Sequence, residues 1–121
     1  MKHCLVVDDS KVIRQVARHL LQTLDFDVTE ASNGKEALEE IGAHIPDAVL
    51  LDWNMPVMDG MEFLSALGEL NLADRPKTIF CTSENGVSRV RDAIAAGADE
   101  YLMKPFDRET LQEKLVAVGL I

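Results

Sequence analysis

Four short segments of this 121-residue chain carry the side chains able to do chemistry. Asp8 and Asp9 close "LVVDDS", Asp52 follows "DAVLL", Thr82 and Ser83 follow "IFC", and Lys104 stands before Pro105 in "YLMKPF". Adjacent carboxylates at the end of an apolar run repel each other, so a cation is expected beside them. Three carboxylates brought together are each raised in pKa unless a divalent cation balances them, and an all-oxygen donor set with open water positions suits Mg²⁺. Asp52 follows a run that reads as a central strand buried on both faces. With one oxygen on the metal and the other free, it is the nucleophile for phosphoryl transfer, forming an aspartyl phosphate. Lys104 and the Thr82 hydroxyl then supply charge and a donor for the remaining phosphoryl oxygens. Each residue alone has a plainer reading: Asp9 or Ser10 as a helix cap, Thr82 as a turn residue, Lys104 as a solvated tip. The plainer readings do not explain why all of them follow strands.

The elements that must position these residues are readable from periodicity. Short β-branched runs at about 3–7, 26–31, 47–52, 77–82 and 99–103 alternate with stretches of helical period. Val12, Ile13, Val16, Ala17, Leu20, Leu21 and Leu24 recur on one face of the first helix and are expected to pack on a sheet. The second helix opens at Asn33, with Glu36 three residues on as a near capping box, stops at Gly42 and turns Ala37, Leu38 and Ile41 inward. Phe63, Leu64 and Leu67 mark the third. Val87, Val90, Ala93 and Ile94 mark the fourth, after "ENG" and ending at Gly97. The last starts at Asp107 and presents Leu111, Leu115 and Val118. Strict alternation over residues 1–121 predicts one α/β domain, a parallel sheet with helices on both faces. In such folds ligands bind beyond the carboxyl ends of the strands, where the acids, the hydroxyl and the lysine all fall.

A formal charge of −9 and a pI near 4.7 argue against a nucleic acid or an anionic membrane as direct partner, since both would be repelled. No apolar run approaches the ~18 residues of a membrane span, and the start "MKHCLVVDDS" lacks a signal-peptide layout, so a cytoplasmic location is expected. There the two cysteines, Cys4 and Cys81, are expected as reduced buried thiols.

The pair at 8 and 9, "LLDWNMPVMDG" at 50–60, "CTSE" at 81–84 and "YLMKPF" at 101–106 together resemble the receiver domain of bacterial two-component response regulators, along the whole chain. The likeness is greatest to single-domain chemotaxis members. It implies a flavodoxin-like (βα)5 doubly wound sheet of strand order 2-1-3-4-5. It implies Asp52 as phosphoacceptor, Asp8 and Asp9 as metal acids, the backbone carbonyl of Asn54 as a further Mg²⁺ ligand, Lys104 as the phosphate-binding lysine, and Thr82 with Tyr101 as a switch pair. A cis bond between Lys104 and Pro105 is implied as well. The function that follows is a phosphorylation-activated switch: a monomer takes a phosphoryl group from a histidine kinase or phosphotransfer protein and changes its affinity for a downstream protein. Chemotaxis-type output, through the face of the fourth helix, fifth strand and fifth helix, leads; a phosphate sink or relay is the alternative. No turnover is expected beyond self-catalysed phosphorylation and dephosphorylation, and with the chain ending at Ile121 output is expected in trans. Under that strand order Cys4 and Cys81 are a whole strand apart, beyond disulfide reach.

Flanking residues carry less. Gly60 reads as relief of a backbone constraint, and Met55, Met58 and Met61 as packing, since a hard cation does not choose sulfur. Trp53 reads as core or as a wall of the site. Asn54 and Glu84, two beyond Asp52 and Thr82, read as loop polarity or as groups that tune water access. His3, His19 and His44 show no spacing suited to zinc and receive no chemistry. A flavin carrier of the same sheet order needs a phosphate loop where this chain has two acids. A Mg²⁺-dependent phosphatase needs a second catalytic acid where this chain has Asn54, and a cap domain. A metal-free docking module would not need every acid.

Overall fold

The computed structural model describes residues 1–83 and 88–121. Glu84 and Val87, and the "ENG" before the fourth helix, lie outside the described residues. Strands β1 (Lys2–Val7), β2 (Phe26–Ala31), β3 (Ala48–Asp52), β4 (Lys77–Thr82) and β5 (Glu100–Met103) alternate with helices α1 (Lys11–Thr23), α2 (Gly34–Ala43), α3 (Gly60–Glu69), α4 (Val90–Ala95) and α5 (Arg108–Ala117). The strands form one parallel sheet in the order β2-β1-β3-β4-β5.

Both faces of the sheet are covered, which is why its strands read as continuous apolar runs. Leu5, Val7, Val49, Leu51 and Phe80 point to the side where α2, α3 and α4 deliver Ala37, Ile41, Phe63, Leu64, Leu67 and Ala93. Cys4, Val6, Leu50, Ile79 and Cys81 point to the other side, against Ala17 and Leu21 of α1 and Leu111 and Leu115 of α5. Every residue of β3, the middle strand, is buried. Cys4 and Cys81 are free thiols separated by β3, as the strand order requires.

Three details differ from expectation. Val12 is 66% exposed and Val16 47%, because α1 rests on the sheet through Ala17, Leu21 and the following Leu24, and its 12/16 edge rotates away from that contact. Ile94, expected to face inward, is exposed, since the six-residue α4 seats only Ala93 fully. At the start of α2 the Asn33 side chain accepts from the Glu36 amide as expected, but Glu36 reaches one residue further back than a capping box, to the amide and hydroxyl of Ser32. The full reciprocal box stands instead on α3, between Asp59 and Glu62.

Candidate functional site

After β1 the chain turns into α1, on one side of the sheet, and after β3 into α3, on the other, so a crevice opens between the carboxyl ends of these adjacent strands. Asp8 and Asp52 stand in it, both buried, with exposed Asp9 at its mouth. One carboxylate oxygen from each of the three lies within 4.8 Å of the others. Lys104 reaches in from beyond β5 and donates to Asp8 Oδ2 at 2.7 Å and to Asp52 Oδ1 at 3.1 Å. Asp8 is oriented from behind: its Oδ1 accepts from the Ser10 amide at 2.9 Å, and its carbonyl accepts from Arg14 Nη1 at 2.7 Å. The cleft, about 380 Å³, is lined by these residues with Ser10, Trp53, Asn54 and Ser83. A larger groove of about 890 Å³ between the far ends of α2 and α3 is lined mainly by apolar side chains such as Ile41 and Leu70 and holds no comparable set of acids and bases.

One lysine faces three acids. Burial raises the Asp52 pKa; Lys104 opposes the rise, and Asp8 and Asp9 add to it. Burial also works against the Lys104 charge, but hydrogen bonds and charge from Asp8 and Asp52 prevail and hold its pKa above the ordinary value. Beneath them the fully buried Cys81 thiol is pushed up to about 12, chiefly by desolvation, and takes no part. The donor set fits a hard cation: oxygen only, net negative after the lysine, and open to water through Asp9.

The loop after β3 shapes the mouth. A Cβ at Gly60 would lie 2.5 Å from the Asp52 carbonyl oxygen and 2.8 Å from Trp53 Cα, so the constraint Gly60 relieves is one of space. The left-handed position is Val57, at φ 67°, in a three-residue γ-turn closed by the Met58 amide on the Pro56 carbonyl at 2.7 Å. A β-branched residue there is strained, and its side chain is 74% exposed. Met55 is buried in the core and Met58 packs against it. Trp53 is both core and wall, with the Arg89 guanidinium 4.3 Å from its ring centre.

Thr82 and Tyr101, expected as a switch pair, do not line the cleft. Thr82 is buried at the end of β4 and its hydroxyl donates to the Ser83 carbonyl at 3.1 Å, so Ser83 is the cleft-lining hydroxyl. Tyr101 is 38% exposed, with Lys114 Nζ of α5 4.2 Å from its ring centre. The Lys104–Pro105 bond is cis. Sequence reasoning missed Arg14. The available signal was its place four residues after Ser10, the cap of α1, one helical turn from the acids.

A doubly wound α/β sheet with acids and a lysine converging at its carboxyl edge is the architecture of a signalling receiver. The chain belongs to the response regulator receiver domain family, whose sequence model matches residues 4–116. It is 39% identical over 116 residues to chemotaxis protein CheY1 of Helicobacter pylori, covering 94% of each chain. It is 36% identical over 115 residues to chemotaxis protein CheY of Halobacterium salinarum, covering 94% of this chain and 93% of the relative. In three dimensions it is similar to chemotaxis protein CheY4 of Vibrio cholerae, with a TM-score of 0.89, 36% identity and 98% of both chains covered. Among the described residues no helix is long and apolar enough to cross a membrane.

Proposed function

We propose that residues 1–121 form one receiver domain, a phosphorylation-activated switch of a two-component system in which Asp52 is the phosphoacceptor and the output is of chemotaxis type. The observation that carries this is the single Lys104 ammonium bridging Asp8 and Asp52 at 2.7 and 3.1 Å beside a third carboxylate. Asp8, Asp9 and Asp52, with the main-chain carbonyl of Asn54, are the groups to hold Mg²⁺, which when bound supplies charge neutralisation for the incoming phosphoryl oxygens. An Asp52 oxygen attacks phosphorus, the P–N bond of a donor phosphohistidine breaks, and its electron pair leaves with the imidazole. Lys104 exchanges its carboxylate contact for a phosphoryl oxygen, and Thr82 turns its hydroxyl from Ser83 to another. The chemotaxis proteins it resembles along nearly all of their length support the output assigned.

Readout runs through Tyr101. The space Thr82 vacates admits the ring, which biases a two-state element by differential contact. Ser88, Val90, Arg91, Asp92, Tyr101 and Met103 line a depression of about 580 Å³ over α4 and β5, the place for a downstream protein. With a charge of −9 the chain acts in the cytoplasm as a monomer on proteins, away from nucleic acid and membrane surfaces.

The test is labelling by a small acyl-phosphate donor with Mg²⁺. One hydroxylamine-sensitive phosphoryl group per chain is expected, and none in Asp52→Asn or with a chelator. Labelling that persists in Asp52→Asn overturns the assignment. Tyr101→Ala and Thr82→Ala should keep the labelling and weaken the phosphorylation-dependent gain in partner binding.

A further inference from the structure

At the opposite, amino end of the strands, two histidines that lie 41 positions apart in the chain meet. His3 is the second residue of β1, registered against Asp27 of β2. Its amide donates to Asp47 Oδ2 at 2.8 Å and its carbonyl accepts from the Asp47 amide at 2.9 Å, so Asp47 is fixed beside it. The His3 ring is fixed too, with Nε2 2.8 Å from Thr29 Oγ1. His44 follows α2 as its C-cap, its amide donating to the Glu40 carbonyl at 2.8 Å. The two rings stand nearly perpendicular, 75° apart in plane, with centres 4.9 Å from each other. The other charged groups that bear on His3 are all acids: Asp27 on β2, Asp47 before β3 and Glu40 on α2.

An edge-to-face pair of imidazoles needs no ligand to exist, but three features here go beyond ring packing. Two imidazoles bound to one metal through Zn–N bonds of about 2.0 Å at a roughly tetrahedral angle hold their ring centres roughly 5 Å apart, the separation seen. In the tautomer whose Nε2–H donates to Thr29, His3 keeps a lone pair on Nδ1, and such a donor to a second group is what orients a metal-binding histidine. The acidic surround offsets the charge of a dication.

We propose that His3 and His44 form a binding site for a borderline divalent cation of the Zn²⁺ type, bordered by Asp47 and Glu40 and completed by water. Imidazole nitrogen separates this site chemically from the all-oxygen cluster at Asp8, Asp9 and Asp52, which takes hard cations. It sits at the other end of the strands and does not depend on the phosphoacceptor reading. A cation there joins the start of β1 to the end of α2.

The experiment is a Zn²⁺ titration of the whole chain in excess Mg²⁺, which keeps the acidic cluster occupied, followed by calorimetry and by nuclear magnetic resonance of the histidine rings. One Zn²⁺ per chain is expected, with the His3 and His44 ring signals shifting together. His44 is exposed, so His44→Gln should fold normally; it should weaken binding about tenfold or more, as His3→Gln should, while His19→Gln should not. Binding of equal strength in His44→Gln, shifts confined to residues around Asp8, Asp9 and Asp52, or no binding at all would each overturn the site.

Discussion

Two ionic clusters lie back to back around β1 and α1, and they are built to opposite proportions. In one, Glu30 of β2 is held by two arginines of α1, Arg14 at 3.0 Å and Arg18 at 2.7 Å. In the other, Lys104 is shared by Asp8 and Asp52 with Asp9 close by. Burial works against the Glu30 charge, yet the arginines outweigh it and hold the carboxyl below its usual range. Asp52 is pushed the other way. Arg14 joins the two, since it also holds the Asp8 carbonyl. The first cluster is complete and fastens a helix to a strand. The second is short of positive charge, the shortage that a cation and a phosphoryl group would fill under the function proposed.

The contrast can be broken at its one cation. Lys104→Met leaves the acids uncompensated and should lower stability in Mg²⁺-free urea unfolding by about 3 kcal/mol, the scale for removing one partner of a buried pair. Adding Asp52→Asn to that variant should recover part of the loss, whereas adding Glu30→Gln should deepen it.

Supplying the missing charge tests the same idea from the other side. Mg²⁺ at a hundred times its dissociation constant should stabilise the chain by about 2.7 kcal/mol, read as a shift in the urea midpoint. Asp9→Asn should cut most of that shift and leave the Mg²⁺-free midpoint near its original value, since Asp9 is exposed.

Smaller effects separate the two carboxylates by sign. A group whose pKa is lowered on folding stabilises the fold above its unfolded value, and this is lost as pH falls through the folded value. Glu30→Gln should therefore cost about 1 kcal/mol at pH 7, and the difference from the parent should close as pH falls from the usual 4.5 through the lowered value. Asp52, with a raised pKa, is destabilising when ionised. Asp52→Asn in Mg²⁺-free buffer should leave the midpoint unchanged or raise it, by no more than about 1 kcal/mol. A loss of stability in that variant would show that the second cluster is as balanced as the first.

What the sequence revealed, and what it hid, follows from distance along the chain. The acids were legible because they, a hydroxyl and a lysine all follow strands, a coincidence that capping and turn roles do not explain, and Ala48–Asp52 is buried throughout as a central strand requires. Strand ends at Val7, Ala31 and Thr82 were legible from the short β-branched runs they close. The hold of Arg14 on Asp8 was not, because it depends on the rotation of α1 about its axis. Val12 and Val16 face solvent because, at roughly 100° per residue, they stand about 180° and about 140° around the helix from Leu21, so the apolar residues of α1 do not all share one face. His3 and His44 were read as unrelated because only the packing of α2 against β1 brings them together. The reason for Gly60 was half legible: a glycine before a helix suggests a special backbone angle, whereas the positive φ falls on Val57 and Gly60 is fixed by lack of room. Thr82 was placed correctly at its strand end, but the direction of a hydroxyl rotor leaves no trace in sequence.

The two thiols have a practical consequence. Cys4 and Cys81 are both buried and both have pKa values raised by desolvation, so neither presents thiolate to an alkylating reagent while the chain is folded. A cysteine introduced at an exposed position such as Val16 would then be the one that reacts. A Val16→Cys chain can therefore carry a single dye or spin label with neither native cysteine removed, and the switch can be followed from a chosen point on its surface.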